Sequence, residues 1–188
     1  MEIKAAFKSE TNNVCCLPGS CQFSVFGISA AIPGDWTIRP EHKGRNFSYD
    51  NGFFHFEKAS PDHKDSISFG LLWETVDKEE ENETFISNYA ANMEMQYKKK
   101  MKKQEQFMNH GTDVVEISGI PACILRISYN ASTELMAMRR CQRIYVTNIA
   151  FLQESSKRRI TASVIATQQR MEQEKEALEA LLYSIKVV

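Results

Sequence analysis

Several segments of the chain alternate apolar and polar residues at every second position, and this pattern constrains the fold more than any other feature. It covers residues 66–76, 122–129 and 159–167. Successive side chains of a strand point to opposite faces of a sheet, so each segment predicts a strand with one buried face. A sheet built from such strands is mainly antiparallel, and its apolar face needs another layer to cover it.

Two amphipathic helices can supply that cover. Between residues 79 and 108 the apolar residues recur at helical spacing, and Asn109 and Gly111 are predicted to end this helix. A second, C-terminal helix is predicted over residues 171–185. The apolar stripe of the long helix consists of Phe85, Ile86, Tyr89, Ala90, Met93, Tyr97 and Met101. The sequence therefore predicts an α+β domain with helices packed on a mainly antiparallel sheet.

Turn residues separate other predicted strands. Residues 23–32 read as two short strands interrupted by Gly27. Asn51 and Gly52 form a dipeptide that strongly favours a two-residue hairpin turn. A β-hairpin centred on this dipeptide is therefore predicted over residues 47–58.

Length and charge limit the classes of protein to consider. The chain has 188 residues, a formal net charge of -1 and a pI near 6.4. A chain of this length builds one core, so we predict a flexible N-terminal segment over residues 1–20 and a single domain over residues 21–188. The charge argues against nucleic-acid binding. No apolar run is long enough for a transmembrane helix, and no secretory signal is visible. The sequence predicts a soluble cytoplasmic protein, exported only if an N-terminal signal has been removed.

The residues that usually carry catalysis or bind metals form no recognisable pattern. Nucleotide-binding loops, zincin helices and nucleophile elbows are absent from the sequence. The odd number of cysteines, five in all, fits poorly with a closed set of disulfides. Cys123 and Cys141 are predicted to be buried thiols, whereas Cys15, Cys16 and Cys21 are predicted to be reduced and without zinc. We therefore expect no catalytic residues, no metal and no cofactor.

Clustered positive charge is the best functional signal in the sequence. One set lies near the end of the long helix and the other in a predicted strand. The residues are Lys98, Lys99, Lys100, Lys102 and Lys103, and Arg139, Arg140 and Arg143. Such clusters attract phosphates, anionic lipid headgroups or an acidic protein surface. The alternatives are a solvated helix face for the lysines and pairing with acidic residues of the sheet for the arginines.

The order of certain short motifs resembles the Mog/PsbP-like superfamily, which includes DcrB-like proteins. The motifs are an apolar strand ending in Ile32-Pro33-Gly34-Asp35-Trp36, the long helix, Ile117-Ser-Gly-Ile-Pro-Ala-Cys123, and Leu181-Leu-Tyr-Ser-Ile-Lys186. Together they cover residues 21–188. The resemblance implies a three-layer α-β-α sandwich around an antiparallel sheet, and mostly non-catalytic roles. It implies no particular site residue for this chain.

These observations favour a non-enzymatic binding or accessory protein that contacts an acidic or anionic partner, expected to be a protein, through the basic helix and sheet residues. The alternative is a small-molecule-binding protein or hydrolytic enzyme with a pocket between the sheet and a helix. A third interpretation is a structural subunit that forms a homo-oligomer through its apolar face.

Overall fold

The structure is a computed structural model that describes residues 19–39, 48–60, 65–76, 80–100, 106–135 and 138–188. For residues 39, 100, 132–135 and 138–141 it describes the backbone only. The strands are β1 (Ser20–Val25), β2 (Ile28–Pro33), β3 (Thr37–Arg39), β4 (Asn51–Ala59), β5 (Ser66–Thr75), β6 (Met108–Ile117), β7 (Ile120–Leu135), β8 (Met138–Gln153), β9 (Arg158–Thr167) and β10 (Lys186–Val187). The α-helices are α1 (Asn82–Lys100), α2 (Gln168–Gln173) and α3 (Lys175–Tyr183), and a 3-10 turn spans Glu154–Ser156.

The sheet is antiparallel at every pairing described. A seven-stranded sheet has the order β3-β4-β5-β9-β8-β7-β6, and β1, β2 and β10 form a second, three-stranded sheet. The predicted α+β class with a mainly antiparallel sheet is confirmed. Within the described residues, no helix has the length and apolar character needed to cross a membrane.

The large sheet buries side chains on both faces. On one face, α1 covers the odd-numbered residues of β7, and the buried cluster there includes Phe85, Ile86, Tyr89, Cys123, Leu125 and Ile127. On the other face, α3 and the small sheet pack against β4, β5 and β9, with Trp73, Phe69, Val164, Leu178, Leu181 and Ile28 among the buried residues. The stripe predicted for the long helix packs as expected as far as Tyr97, whereas Met101 lies outside the described residues.

The hairpin predicted at Asn51 and Gly52 is wrong for the residues that the structure describes. Both residues lie inside β4 and pair with Glu74 and Trp73 of β5. Neither residue has a positive φ, which a tight hairpin turn of this type requires. Gly52 is instead required because a Cβ there would lie 2.1 Å from Cζ2 of Trp73.

The tight two-residue turns occur elsewhere. Phe26 and Gly27 join β1 to β2, and Ser118 and Gly119 join β6 to β7, with positive φ at all four positions. Glycine at the second position of each turn permits this conformation at little cost. The break predicted at Gly27 is therefore confirmed.

Both predicted helices differ from the structure at their ends. The long helix begins at Asn82 rather than near residue 79, and Met108 already belongs to β6. Asn109 and Gly111 do not end the helix; they flank a bulge in β6. The predicted C-terminal helix is two helices, because the backbone breaks at Glu174 with φ -112° and ψ 17°.

The register shows that β7 and β8 extend beyond their neighbours. The last pairs with flanking strands are Met108 with Ser128 and Ile144 with Thr167. Beyond these pairs, β7 and β8 continue to pair with each other as far as Leu135 and Met138. The hairpin thus projects from one end of the sheet as a two-stranded ribbon.

Candidate functional site

The described members of the predicted basic set lie at the end of α1, in the projecting ribbon and at the base of the ribbon. Lys98 and Lys99 are exposed in the last turn of α1, and Lys100 is the last residue of that helix. The backbones of Arg139 and Arg140 lie in the projecting ribbon, opposite Glu134 and Thr133. Arg143 lies at the base of the ribbon, opposite Asn130. Lys102 and Lys103 lie outside the described residues.

Aromatic and polar contacts bring the end of α1 close to the base of the ribbon. The ring of Tyr97 packs against Tyr129 of β7 and against Phe107, with ring centroids 6.1 Å apart in both pairs. Nζ of Lys98 lies 5.8 Å from the centroid of the Phe107 ring. Arg143 donates a hydrogen bond of 3.0 Å to the backbone carbonyl of Gln106, the residue before Phe107. We call the surface formed by Lys98, Lys99 and Arg143 the basic end.

The charges of the basic end are only partly neutralised. Lys98 forms an ion pair of 2.6 Å with Glu94, one helical turn earlier, and hydrogen bonds from Lys98 and Asn109 lower the pKa of the Glu94 carboxyl. Arg143 also donates to the side-chain oxygen of Asn130, 3.1 Å away. Within the described part of the chain, neither Lys99 nor Arg143 forms an ion pair. Both hydrogen bonds described for Arg143 are therefore to neutral oxygens.

A second feature is a groove of about 240 Å³ between the sheet and the helices α2 and α3. Its floor includes Arg126 of β7, Thr147 of β8 and Val164 of β9. Arg126 pairs directly with Thr147, and Thr147 pairs directly with Val164. Directly paired residues of antiparallel strands share a face. Its other wall is the side of α2 and α3 that carries Met171, Leu178 and Leu182, which are apolar, and Glu172, Lys175 and Glu179.

The bulge in β6 places His110 at the mouth of this groove. The ring of His110 stacks on Tyr145, with centroids 5.3 Å apart and an interplanar angle of 15°. Nε2 of His110 lies 2.6 Å from Oγ of Ser128. Ser128 is fully buried, so a substrate has no access to its hydroxyl. This Ser-His pair therefore positions the imidazole and provides no accessible nucleophile.

The cysteines differ in what the structure describes of them and in their exposure. Cys123 is fully buried, as predicted, and burial raises the pKa of its thiol, which disfavours the reactive thiolate. Cys21 is exposed, whereas Cys15, Cys16 and the side chain of Cys141 are not described. Among the described residues, no group of three or more His, Cys, Asp or Glu side chains is arranged to hold a metal ion.

The residues that line the groove were not predicted from the sequence, although one pattern pointed to them. Arg126, Ser128 and Asn130 are polar residues on one face of β7, while the other face is apolar. Such a change from apolar to polar residues beyond Ile124 indicates that this part of the face is not filled by packed apolar side chains. The bulge that positions His110 gives no comparable signal, since Asn109 and Gly111 equally suit the end of a helix.

Comparison with known proteins identifies the fold but not a sequence family. No known family's sequence profile matches the chain, and no curated protein sequence matches it. Solved structures with the same overall architecture include the following three. Cyanobacterial PsbP (CyanoP) from Synechocystis is 8% identical, with a TM-score of 0.67 and coverage of 96% of this chain and 99% of that chain.

The other two structures are less similar. The Ran-binding protein Mog1p of Saccharomyces cerevisiae is 11% identical, with a TM-score of 0.51 and coverage of 90% of this chain and 95% of that chain. LpqN, involved in cell envelope biogenesis of Mycobacterium tuberculosis, is 13% identical, with a TM-score of 0.51 and coverage of 86% and 83%. The chain thus has a Mog/PsbP-like fold, as its motifs predicted. At these identities the similarity establishes the fold alone.

Proposed function

We propose that this protein is a non-enzymatic binding or accessory protein whose basic end contacts an acidic surface of a partner protein. The observation that carries the proposal is the contact between the end of α1 and the base of the ribbon through Phe107 and Gln106. It brings Lys98 and Arg143, which are distant in sequence, close to the same pair of neighbouring residues. We further propose that Lys100, Lys102, Lys103, Arg139 and Arg140 extend this surface.

Local charge supports a partner of opposite sign. The whole chain is almost neutral, at -1, so the basic end differs from the average surface. Lys99 and Arg143 form no ion pair within the described residues, and we propose that both are available to an approaching carboxylate. Exposed charges of this kind steer association and select partners more than they add affinity. Binding is therefore expected to weaken as the salt concentration rises.

Similarity in fold is consistent with this function without specifying the partner. The Ran-binding protein Mog1p has the same fold, so a chain of this architecture is able to bind another protein. The proposal includes a three-layer α-β-α arrangement, a flexible segment over residues 1–20 and one domain over residues 21–188. It assumes a cytoplasmic location, no nucleic-acid ligand and no cofactor, and it allows a homo-oligomer.

The test is affinity capture from an extract of the source cells, with the proteins identified by mass spectrometry. The bait proteins are the wild type, the variant Lys98→Glu/Lys99→Glu and a charge-matched control, Lys175→Glu/Lys186→Glu, at exposed positions outside the basic end. We expect a partner that the wild type and the control capture and that the basic-end variant loses. The thermal midpoint of each variant is measured first, because all four lysines are exposed and their reversal should leave folding nearly unchanged.

The contradicting outcome is equally specific. If the basic-end variant and the control retain every captured protein equally, the basic end is not the contact surface. Capture that is insensitive to added salt would also contradict a contact between exposed charges.

A further inference from the structure

The groove between the sheet and α2–α3 combines an apolar interior with hydrogen-bond donors on its floor. Ile124, Val164, Leu178 and Leu182 are buried, and the partly buried Met171 lies at its edge. At about 240 Å³ it is smaller than the usual range of roughly 300–1,000 Å³ for sites that take drug-sized ligands. The space suits one small ring system or a short hydrocarbon chain.

The donors come from adjacent strands and share one face of the sheet. Arg126 and Thr147 are directly paired across β7 and β8. Arg126 pairs through Nη1 with Asp113 of β6, and its side chain remains 40% exposed. Within the described residues, Nε and Nη2 of Arg126 and the hydroxyl of Thr147 make no hydrogen bond. A guanidinium with two open nitrogens is a planar donor suited to a carboxylate.

Carboxylates on the opposite wall restrict the charge that the groove accepts. Glu172 and Glu179 line the helical side, with Lys175 between them along the sequence. Glu172 accepts a hydrogen bond of 2.9 Å from Gln168, and both glutamates are exposed. A ligand with one negative charge directed at Arg126 avoids these carboxylates. A dianion such as a phosphate monoester carries a second charge that they repel.

We propose that this groove binds small organic monocarboxylates with an apolar or aromatic body. The carboxylate lies on Arg126 and Thr147, and the apolar body lies between the sheet and Met171, Leu178 and Leu182. The stacked rings of His110 and Tyr145 also line the groove, and an aromatic ligand can pack against them. This site is separate from the basic end and does not depend on the function proposed for it.

The test uses three probes with the same ring system: naphthoate, naphthylmethanol and naphthyl phosphate. Their dissociation constants are measured by isothermal titration calorimetry on the full chain. We expect naphthoate to bind to a single site and to bind more tightly than the other two probes. Met171→Trp, at the partly buried edge of the groove, is expected to abolish binding of all three by filling the space.

A matched pair of arginine variants isolates the role of Arg126. Arg159 also pairs with a carboxylate, that of Glu74, and its exposure of 39% is close to the 40% of Arg126, but it is not among the residues that line the groove. Arg126→Met should raise the dissociation constant of naphthoate about tenfold or more, since a charge-assisted hydrogen bond is lost. It should leave that of naphthylmethanol unchanged, and Arg159→Met should leave both unchanged.

Several results would overturn the proposal. The first is the absence of saturable naphthoate binding, and the second is tighter binding of naphthyl phosphate than of naphthoate. The third is an equal change in the dissociation constant of naphthoate in Arg126→Met and Arg159→Met. The fourth is naphthoate binding that Met171→Trp leaves intact. The thermal midpoint of each variant is compared with that of the wild type, so that a loss of folding is not mistaken for a loss of the site.

Discussion

Arg158 is a fully buried arginine whose guanidinium contacts only neutral groups among the described residues. It donates to the hydroxyl of Ser156, the carbonyl of Phe26 and the side-chain oxygen of Gln153, at 3.1, 2.9 and 3.1 Å. Its guanidinium also lies 4.2 Å from the centroid of the Tyr49 ring. These contacts join the turn between β1 and β2 to the end of β8 and the start of β9.

Replacing Arg158 should therefore cost far more stability than replacing its neighbour. Arg158→Met removes three hydrogen bonds and the contact with the Tyr49 ring at a fully buried position, and it should lower the free energy of unfolding by about 3 kcal/mol. Arg159→Met removes a half-exposed ion pair with Glu74 and should cost less than about 1 kcal/mol. Urea denaturation of both variants measures the difference. Equal losses of stability in the two variants would show that the buried contacts of Arg158 do not stabilise the fold more than an exposed ion pair does.

Burial of ionisable groups beneath α1 predicts a loss of stability at alkaline pH. Burial raises the pKa of Tyr89 and Tyr97 above the ordinary value of tyrosine, 10.0, and raises that of Cys123 above 9.0. A raised pKa in the folded state favours the neutral form, so its contribution to stability is complete below the ordinary pKa. That contribution is lost as the pH rises towards the pKa of the folded state.

Tyr89→Phe tests this cause directly. The phenylalanine has no proton to lose, so the free energy of unfolding of the variant should fall less steeply between about pH 10 and pH 12 than that of the wild type. Tyr183→Phe is the control, because Tyr183 is 46% exposed. Stability profiles that are parallel for the wild type and Tyr89→Phe would contradict the assignment.

Among the strands, β4 depends on a glycine at a close contact rather than at a turn. Gly52 is buried against the ring of Trp73, which is itself fully buried. Asn51, the preceding residue, is exposed, and only its backbone is hydrogen-bonded among the described residues. The two residues therefore have unequal importance in a strand, whereas both are essential in the hairpin turn that the sequence suggested.

Substitution by alanine distinguishes the two arrangements. Gly52→Ala should lower the free energy of unfolding by about 2 kcal/mol or more, because the Trp73 ring has to move. Asn51→Ala should change it by no more than about 0.5 kcal/mol. Thermal or urea denaturation gives both values. A large loss for Asn51→Ala would favour the turn.

The break between α2 and α3 shows why element boundaries were difficult to predict. Residues 171–185 carry one continuous apolar stripe, which favours a single helix. The structure breaks the helix at Glu174, whose carboxylate lies 2.7 Å from Nζ of Lys58 and 2.9 Å from Nη2 of Arg170. Lys58 lies in β4, so this tertiary ion pair has no signal in the local sequence.

For the whole molecule, the periodic patterns predicted more than the turn residues did. Alternation in β5, β7 and β9 and the stripe of α1 were sufficient for the α+β class, because burial imposes those periods directly. The Mog/PsbP-like resemblance came from the order of short motifs. The strand order and the projection of the β7–β8 ribbon depend on register between distant strands. Local sequence does not specify that register, so neither feature was predicted.

The candidate sites show the same difference between features that local sequence specifies and features that depend on distant elements. The lysines of α1 and the arginines of β8 were found from composition, and only the structure brings one residue of each set, Lys98 and Arg143, close to residues 106–107. The groove was not found, because its floor and its wall come from elements that are distant in sequence. Only a pocket of unspecified residues between sheet and helix was foreseen, as an alternative function.

The central claim is that the basic end meets an acidic surface of another protein. Cross-linking mass spectrometry with a reagent that joins lysine amines to carboxylates tests it most directly, with the wild-type chain added to an extract of its source cells. We predict that Lys98 and Lys99 form recurrent links to aspartate or glutamate residues of one protein, and that added salt removes them. Links confined to Lys175, Lys186 and other lysines outside the basic end would contradict the claim.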